Sequence, residues 1–297
     1  MTLDALLRQA CHEQALSRLE ARMLLSCATG RPQEWIVAHG PDKADAGTAR
    51  AFRALAARRA QGEPMAYLVG RREFYSRAFA VAPAVLIPRP ETELLVEAAL
   101  DLVRAHRSPR LLDLGTGSGI VAVTLALERP DAVVVATDAS AAALALAGAN
   151  AVALGAARID FHAGDWWQAL ATEDVAFDLI VSNPPYIAAA DPHLMQGDLR
   201  FEPRQALVSG PVGDEDIRRI VSGAPARLAD GGWLAIEHGL EQGGHCRHLM
   251  VSAGFADVRT RCDLEGRERV TGGRWSPRHG ACRVDLPSLA AFGILSD

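Results

Sequence analysis

Asn183-Pro184-Pro185-Tyr186 is the stretch of this chain best equipped to do chemistry. Asn183 brings a carboxamide that accepts hydrogen bonds through its oxygen and donates them through its nitrogen. The two prolines fix φ and remove two backbone donors, leaving carbonyls pointed outward from a stiff turn. Tyr186 adds a flat ring on which a planar group can stack. Together the four residues describe a rigid cradle for a planar NH2 group, either an amide or a nucleobase amine. They follow Phe177-Asp178-Leu179-Ile180-Val181-Ser182, an apolar run of strand length. The cradle therefore sits at the carboxyl end of a strand, where open α/β sheets take their ligands.

A second constellation lies upstream. Leu111-Leu112-Asp113-Leu114-Gly115-Thr116-Gly117-Ser118-Gly119 joins an apolar strand pattern to a helical one. Its glycines let the backbone turn tightly and let a ligand approach closely. The spacing G-x-G-x-G differs from the dinucleotide fingerprint G-x-G-x-x-G, and no G-K-[ST] of a nucleotide P-loop is present. Asp113, on the approach to the turn, would repel a pyrophosphate and attract an ammonium or sulfonium. Val133 to Asp138 ends a further strand on a carboxylate, the position from which an acid binds a ribose diol. Gly164-Asp165-Trp166-Trp167 closes a third strand with an acid and two indoles. These suit the amine and ring face of an adenine, with Trp166 favoured over Trp167 because it directly follows the acid.

The elements that must hold these residues are legible from periodicity. From Arg110 on, strand and helix alternate, the signature of a doubly wound parallel sheet. Strands are expected at 110–114, 132–137, 158–163, 177–183 and 231–237, and helices at 119–128, 140–154, 214–228 and 241–252. Ala256 to Thr260 and Arg269 to Thr271 suggest a closing pair of strands. The front of the chain is different. Ser17-x-x-Glu20 forms a capping box, and a second helical pattern runs from about Gly47 to Gln61. Phe74 to Val81 alternates like a strand or hairpin, and a helix starts near Pro90 and continues to about His106. Arg89, between two prolines, is expected to anchor that helix electrostatically, with a role near the mouth of the site as the alternative.

Bulk properties narrow the function classes. The 297 residues are half apolar and a quarter charged, as in a folded globular protein. No apolar run approaches the roughly 20 residues of a membrane span. No export signal is visible at Met1-Thr2-Leu3-Asp4, and the five cysteines lack C-x-x-C spacing, so a reducing cytoplasm is expected and a zinc site is not. Residues 1–88 hold 12 Arg plus Lys against 8 Asp plus Glu, or +4. The remainder holds 19 against 28, or −9. An acidic body argues against a nucleic-acid substrate, which demands neutralised phosphates. A mildly basic front still permits docking of one acidic or RNA-bound partner. His245, Cys246 and His248 do not share one helix face as i, i+4 ligands do, so no metal is expected there. Glu237 and His238 read as structural hydrogen-bonding groups, with direct substrate contact as the alternative, and Glu202-Pro203 as shaping a loop over the cradle.

With Asp113, Gly115, Gly117, Gly119, Asp138, Asp165-Trp166 and Asn183 to Tyr186 in this order, the chain resembles the class I S-adenosylmethionine methyltransferases. More narrowly, it resembles the HemK-type (PrmC) glutamine N5-methyltransferases of peptide chain release factors. Three further stretches carry the narrower likeness: Gly62 to Leu68 running on to Leu86-Ile87-Pro88-Arg89-Pro90-Glu91-Thr92-Glu93; Gln196 to Pro203; and Glu237-His238-Gly239 with Glu268 to Thr271. The likeness covers about residues 1–275.

The resemblance implies a seven-stranded Rossmann-like α/β methyltransferase domain at 91–275, a helical substrate-docking domain at 1–72 and a linking hairpin at 73–90. Residues 276–297 would be an appended tail beyond the family's usual end. It implies methyl transfer from S-adenosylmethionine, yielding S-adenosylhomocysteine, to the glutamine of a Gly-Gly-Gln loop. Asp113, Gly115, Thr116, Gly117, Ser118, Gly119, Asp138, Asp165, Trp166 and Asn183 would hold the cofactor, and Asn183, Pro184, Pro185 and Tyr186 the glutamine. A cytoplasmic monomer without metal, membrane or nucleic-acid substrate is the expectation. A nucleobase amino-methyltransferase and a non-catalytic adaptor of a translation factor are the rival readings.

Overall fold

A computed structural model describes residues 1–170 and 176–277. The expected tail falls almost wholly outside the described residues. The chain begins with five helices: α1 (Leu3–Glu13), α2 (Arg18–Thr29), α3 (Gln33–Ala38), α4 (Ala46–Ala60) and α5 (Met65–Val69). Ser17 and Glu20 close the capping box at the start of α2 from both sides. Leu6, Leu24, Leu25, Ile36, Phe52 and Ala56 meet in an apolar cluster that belongs to these helices alone. A hairpin follows, β1 (Arg71–Phe74) against β2 (Arg77–Ala80), turning through Tyr75 and Ser76 at positive φ.

The rest of the chain builds the sheet. The strands are β3 (Arg110–Leu114), β4 (Val133–Asp138), β5 (Asp160–Ala163), β6 (Phe177–Ser182), β7 (Leu228–Glu237), β8 (Ala256–Cys262) and β9 (Glu268–Arg274). Their order across the sheet is β5-β4-β3-β6-β7-β9-β8, with β9 antiparallel to both of its neighbours. The helices are α6 (Glu93–Leu102), α7 (Ile120–Glu128), α8 (Ala141–Leu154), α9 (Glu215–Gly223) and α10 (Gly243–Ser252). Successive side chains of a strand point to opposite faces, so the apolar runs serve two cores. Leu111, Leu179 and Ala235 pack with α6 and α7 on one face; Leu112, Ile180 and Leu234 pack with α9 and α10 on the other.

Several boundaries differ from the sequence expectation. The helix expected at 214–228 ends at Gly223, because Pro225 withdraws a donor and the chain continues as a 3-10 turn, Ala224–Ala226. The helix expected from Pro90 to His106 starts as a 3-10 turn, Pro90–Thr92, and α6 stops at Leu102. β7 begins at Leu228 rather than 231, since its first residues pair with Phe177 before a register shift. β6 stops one residue short of 183, because Pro184 has no N–H to continue the ladder.

The front helices are tied to the sheet by the segment that crosses between them. Tyr67 donates its hydroxyl to the Val85 carbonyl at 2.6 Å, and Tyr67, Val85, Ile87 and Ala143 share one apolar cluster. Glu202, buried in the loop after β6, accepts the Ile87 N–H at 3.0 Å and forms an ion pair with Arg89. Arg89 thus clasps that loop and does not anchor the start of α6. The sequence ranked helix anchoring first because the acidic helix start was adjacent, whereas the carboxylate it pairs with is 113 residues away.

Candidate active site

β3 pairs with β4 on one side and β6 on the other, so the strand order reverses there and a crevice opens at the carboxyl ends. Leu114 stands level with Thr137 and Ser182, and Ser182 with Ile236. The next residue of each strand is therefore Asp138, Gly115, Asn183 and Glu237, in one row. Above that row lies a cleft of about 270 Å³. Its floor is Gly115 to Ser118, its rim Asp138, Asp165 and Trp166, and its far wall Asn183 and Pro185. Ala84 to Leu86, Pro88, Thr92, Gln205 and Ala206 also line it.

The glycine turn is built for close approach. Gly115 has φ +75, a region that penalises any side chain, and a Cβ there would stand 3.3 Å from the Trp166 ring. Gly119 caps α7 at φ +83, where a Cβ would meet Ala147 at 3.0 Å. Inside the turn, Asp113 Oδ2 accepts the Thr116 hydroxyl at 2.7 Å and the Ala122 N–H at 3.2 Å. Burial, with Asp138 nearby, pushes the Asp113 carboxyl up to about 7. Asp113 borders the cleft, yet this oxygen braces the turn from within. Asn150 of α8 holds the turn from behind, donating to the Ser118 carbonyl at 2.8 Å while it also bonds both backbone groups of Ala80.

Asp138 is held by backbone. Its Oδ2 accepts the Gly117 N–H at 2.9 Å and its Oδ1 the Ser140 N–H at 2.8 Å. Each oxygen keeps a lone pair for a hydroxyl on the cleft side. Burial raises this carboxyl above its usual range against those two bonds. Trp166, at φ +47, lies against Gly115 and donates its indole N–H to Asp216 at 2.9 Å. Trp167 is elsewhere, donating to the Arg219 carbonyl and packed at Gly223. Asp165 borders the cleft while one of its oxygens pairs with Arg219 at 2.6 Å.

At the other end, the Asn183 amide nitrogen donates to Thr92 Oγ1 at 3.1 Å. Glu237, fully buried, ends the neighbouring strand β7, and its Oε2 has no hydrogen-bond partner. Burial raises that carboxyl to about 7, opposed by the polar side chains of Thr92 and Asn183 and by Arg269. Pro185 reaches the cleft, whereas Pro184 and Tyr186 do not line it. Tyr186 packs between the sheet and α10; its carbonyl accepts from Gln242 at 3.2 Å, and burial pushes its hydroxyl up to about 12. His238 is structural, its ring nitrogens 2.9 Å from the Gly239 carbonyl and from Thr271 Oγ1, and burial favours its neutral form. Among the described residues no group of three or more His, Cys, Asp or Glu is placed to hold a metal.

Sequence reasoning passed over Thr92, Asp216 and the cleft-side use of residues 84–88 and 205–206. It gave Glu237 a structural hydrogen-bonding part first, with direct substrate contact as the alternative. One signal was available for Glu237: like Asp138, it is an acid that ends a strand, and its strand neighbours the one ending in Asn183.

An open seven-stranded sheet with a glycine turn after its first strand, an acid closing the second and Asn-Pro-Pro-Tyr after the fourth defines a class I methyltransferase fold. Solved structures share that fold. The catalytic domain of hMettl16 in complex with an RNA hairpin aligns at a TM-score of 0.56 and 15% identity, covering 75% of this chain and 83% of that one. The T. thermophilus 16S rRNA N2 G1207 methyltransferase, solved with AdoMet and guanosine, aligns at 0.50 and 24%, covering 69% and 49%. Residues 90–201 match the family model described as methyltransferase small domain, and residues 4–70 the PrmC N-terminal domain. The release factor glutamine methyltransferase of Bordetella pertussis is 53% identical over 90% of this chain and 98% of its own length. That of Escherichia coli K12 is 45% identical over 87% and 92%. The chain belongs to the release factor glutamine methyltransferases.

Proposed function

We propose that Asn183 and the Pro184 carbonyl hold the side-chain amide of a release-factor glutamine, in its Gly-Gly-Gln loop, for methylation at N5. The Gly115–Gly119 turn, Asp138 and Trp166 hold S-adenosylmethionine beside it. The cleft suits that cofactor: bare backbone at Gly115 and Gly117, a carboxylate with two spare lone pairs, an indole face, and no basic side chain at the turn to call for a phosphate. S-adenosylmethionine supplies a methyl group on a positively charged sulfur.

The residues of the chain then have one task, which is to make a poor nucleophile attack. An amide nitrogen lends its lone pair to its own carbonyl, and it is too weak an acid to be deprotonated at neutral pH. Asn183 Oδ1 and the Pro184 carbonyl each accept one amide N–H. This points the nitrogen at the methyl group and favours the positive charge that grows on it. Tyr186, packed against the core, backs the turn that carries the cradle, and the proton lost from the product amide leaves to water. The observation that carries this reading is the Asn183–Thr92 hydrogen bond: the nitrogen of Asn183 is engaged by a neighbouring side chain, which leaves its oxygen as the acceptor for the substrate.

Helices α1–α5, with the net +4 of residues 1–88, are assigned to docking the release factor in the cytoplasm by a monomeric enzyme. A nucleobase amine would fit the same cradle, but the −9 of the remaining chain disfavours a nucleic-acid substrate. Incubation with labelled S-adenosylmethionine and either a release factor or bare nucleic acid tests the reading. Label on the factor's glutamine is expected. Label on nucleic acid alone supports the nucleobase reading, and label on neither supports a non-catalytic adaptor.

A further inference from the structure

We infer that Glu237, acting with Thr92, is a positioning residue that sets which end of the Asn183 carboxamide faces the cleft. The inference rests on the reading that Asn183 Oδ1 accepts the substrate N–H. A carboxamide presents an oxygen and an NH2 of nearly the same shape, and half a turn about its last torsion exchanges them. With NH2 toward the cleft, Asn183 would oppose donor to donor against the substrate amide. Something must forbid that half-turn.

Thr92 cannot do so alone. Its hydroxyl accepts the Asn183 N–H at 3.1 Å, but a hydroxyl can equally donate to an amide oxygen. An ionised carboxylate only accepts. Glu237 ends β7 next to the strand that ends in Asn183, is 1% exposed, and its Oε2 is buried without a partner. The Thr92 hydroxyl and the Asn183 amide are groups beside it that can donate, and both favour its charged form. In the inferred arrangement, Thr92 gives its proton to that carboxylate and so must accept from Asn183, whose second N–H also turns toward Glu237.

The charged and titratable groups around this carboxyl do not replace it. Arg269 of β9 lies near, but its guanidinium is shared with Asp263 at 3.0 Å and with Glu91 at 3.9 Å. Glu91, on the turn before α6, repels a charge on Glu237, and the Tyr186 hydroxyl stays neutral at working pH. Because burial brings Glu237 to about 7, its charge changes across the physiological range. Once protonated it can donate, Thr92 can reverse, and the amide is free to turn over. Methyl transfer should therefore rise with pH as Glu237 ionises. A carboxyl that only closed the end of a strand would not impose this.

The test is the single-turnover rate of methyl transfer to a release factor from roughly pH 5.5 to 8.5, with cofactor affinity measured alongside. The wild type is expected to lose about tenfold per pH unit below the ionisation and to level off above it. Glu237→Gln should be slower at pH 8 on the order of 10- to 100-fold, the usual scale for partners that orient a functional group. It should also lose the acid limb, with cofactor affinity within about threefold. Thr92→Val should be slow and Thr92→Ser close to wild type. An unchanged rate and acid limb in Glu237→Gln, or equal rates in the two Thr92 variants, would overturn the inference. The Thr92 pair decides alone should Glu237→Gln not fold. Asn183→Ala, run in parallel, separates the two levels: a full rate there removes the assignment of the cradle itself. A lost rate there, with Glu237 and Thr92 variants at full rate, removes only the positioning role.

Discussion

The two ends of the cleft are organised differently. At the glycine-turn end, the carboxylate of Asp138 is held by two backbone N–H groups, and its surroundings are backbone and small side chains. At the amide end, the Asn183 side chain is held by the Thr92 hydroxyl, and one oxygen of the buried Glu237 carboxyl at the end of the next strand has no partner. Backbone donors cannot rotate, so the direction of the bonds that hold Asp138 is fixed, while the Asp113 carboxyl beneath the turn titrates at about 7. A side-chain network can reverse its hydrogen bonds, so the second end depends on a proton. The division matches the tasks: one end grips a ligand that every turnover shares, while the other must present a single acceptor at a defined angle.

The sharpest way to break this contrast is Asn183→Ala. Turnover should fall on the order of 10²- to 10³-fold, as when a preorganised hydrogen-bonding group is removed from a reacting centre, while cofactor affinity changes only a few-fold. Equal losses in both would mean that the two ends are not separable. Asp138→Ala should do the reverse. Losing hydrogen bonds to a charged acceptor, about 1.5–3 kcal/mol, raises the cofactor dissociation constant roughly 10- to 100-fold, with the rate at saturating cofactor largely kept. Calorimetric titration beside steady-state rates distinguishes these patterns.

Smaller effects sharpen the picture. Arg89→Ala leaves Glu202 buried with only the Ile87 N–H, and should lower unfolding stability by about 1–3 kcal/mol in a urea titration. The loop carrying Gln205 and Ala206 should loosen with it. Glu237→Gln should move stability the other way at neutral pH. The folded carboxyl titrates near about 7 against the usual 4.5, so the native state holds its proton more tightly than the unfolded chain does. Its contribution is thus greatest below about 4.5 and is lost as pH rises to about 7. The neutral amide escapes this loss, and the variant should gain of order 1–3 kcal/mol over wild type at pH 8, narrowing as pH falls toward 5. Thermal melts at the two pH values measure it. A variant that is less stable at pH 8 would assign Glu237 to holding Arg269 instead.

Much of this architecture was legible before any coordinate. The apolar runs at Arg110–Leu114, Val133–Asp138 and Phe177–Ser182 are strands as their composition requires, and the closing pair near Ala256 and Arg269 is present as β8 and β9. Element ends were less legible where a single residue decides them, as Pro225 does for α9 and Pro184 for β6. The cofactor end could be read because its parts, Gly115 to Gly119 and Asp138, are local or lie at strand ends with known chemistry. The amide end could be read only halfway. Asn183 was conspicuous, but Thr92 is 91 residues away from it, in a stretch that carried the family likeness without a chemical part assigned to Thr92.

What the sequence determined by itself is the set of strands, the tight glycine turn, the acid that ends β4 and the presence of an acceptor-rich cradle. These follow from periodicity, backbone freedom and residue chemistry over short spans. Only the tertiary structure decided that the Asn183 nitrogen meets Thr92, that Arg89 clasps Glu202, and that Gln205 and Ala206 line the cleft. Each of those depends on which distant groups the sheet order brings into contact, and hydrogen-bond direction is a property of the assembled network, which no short stretch of chain contains.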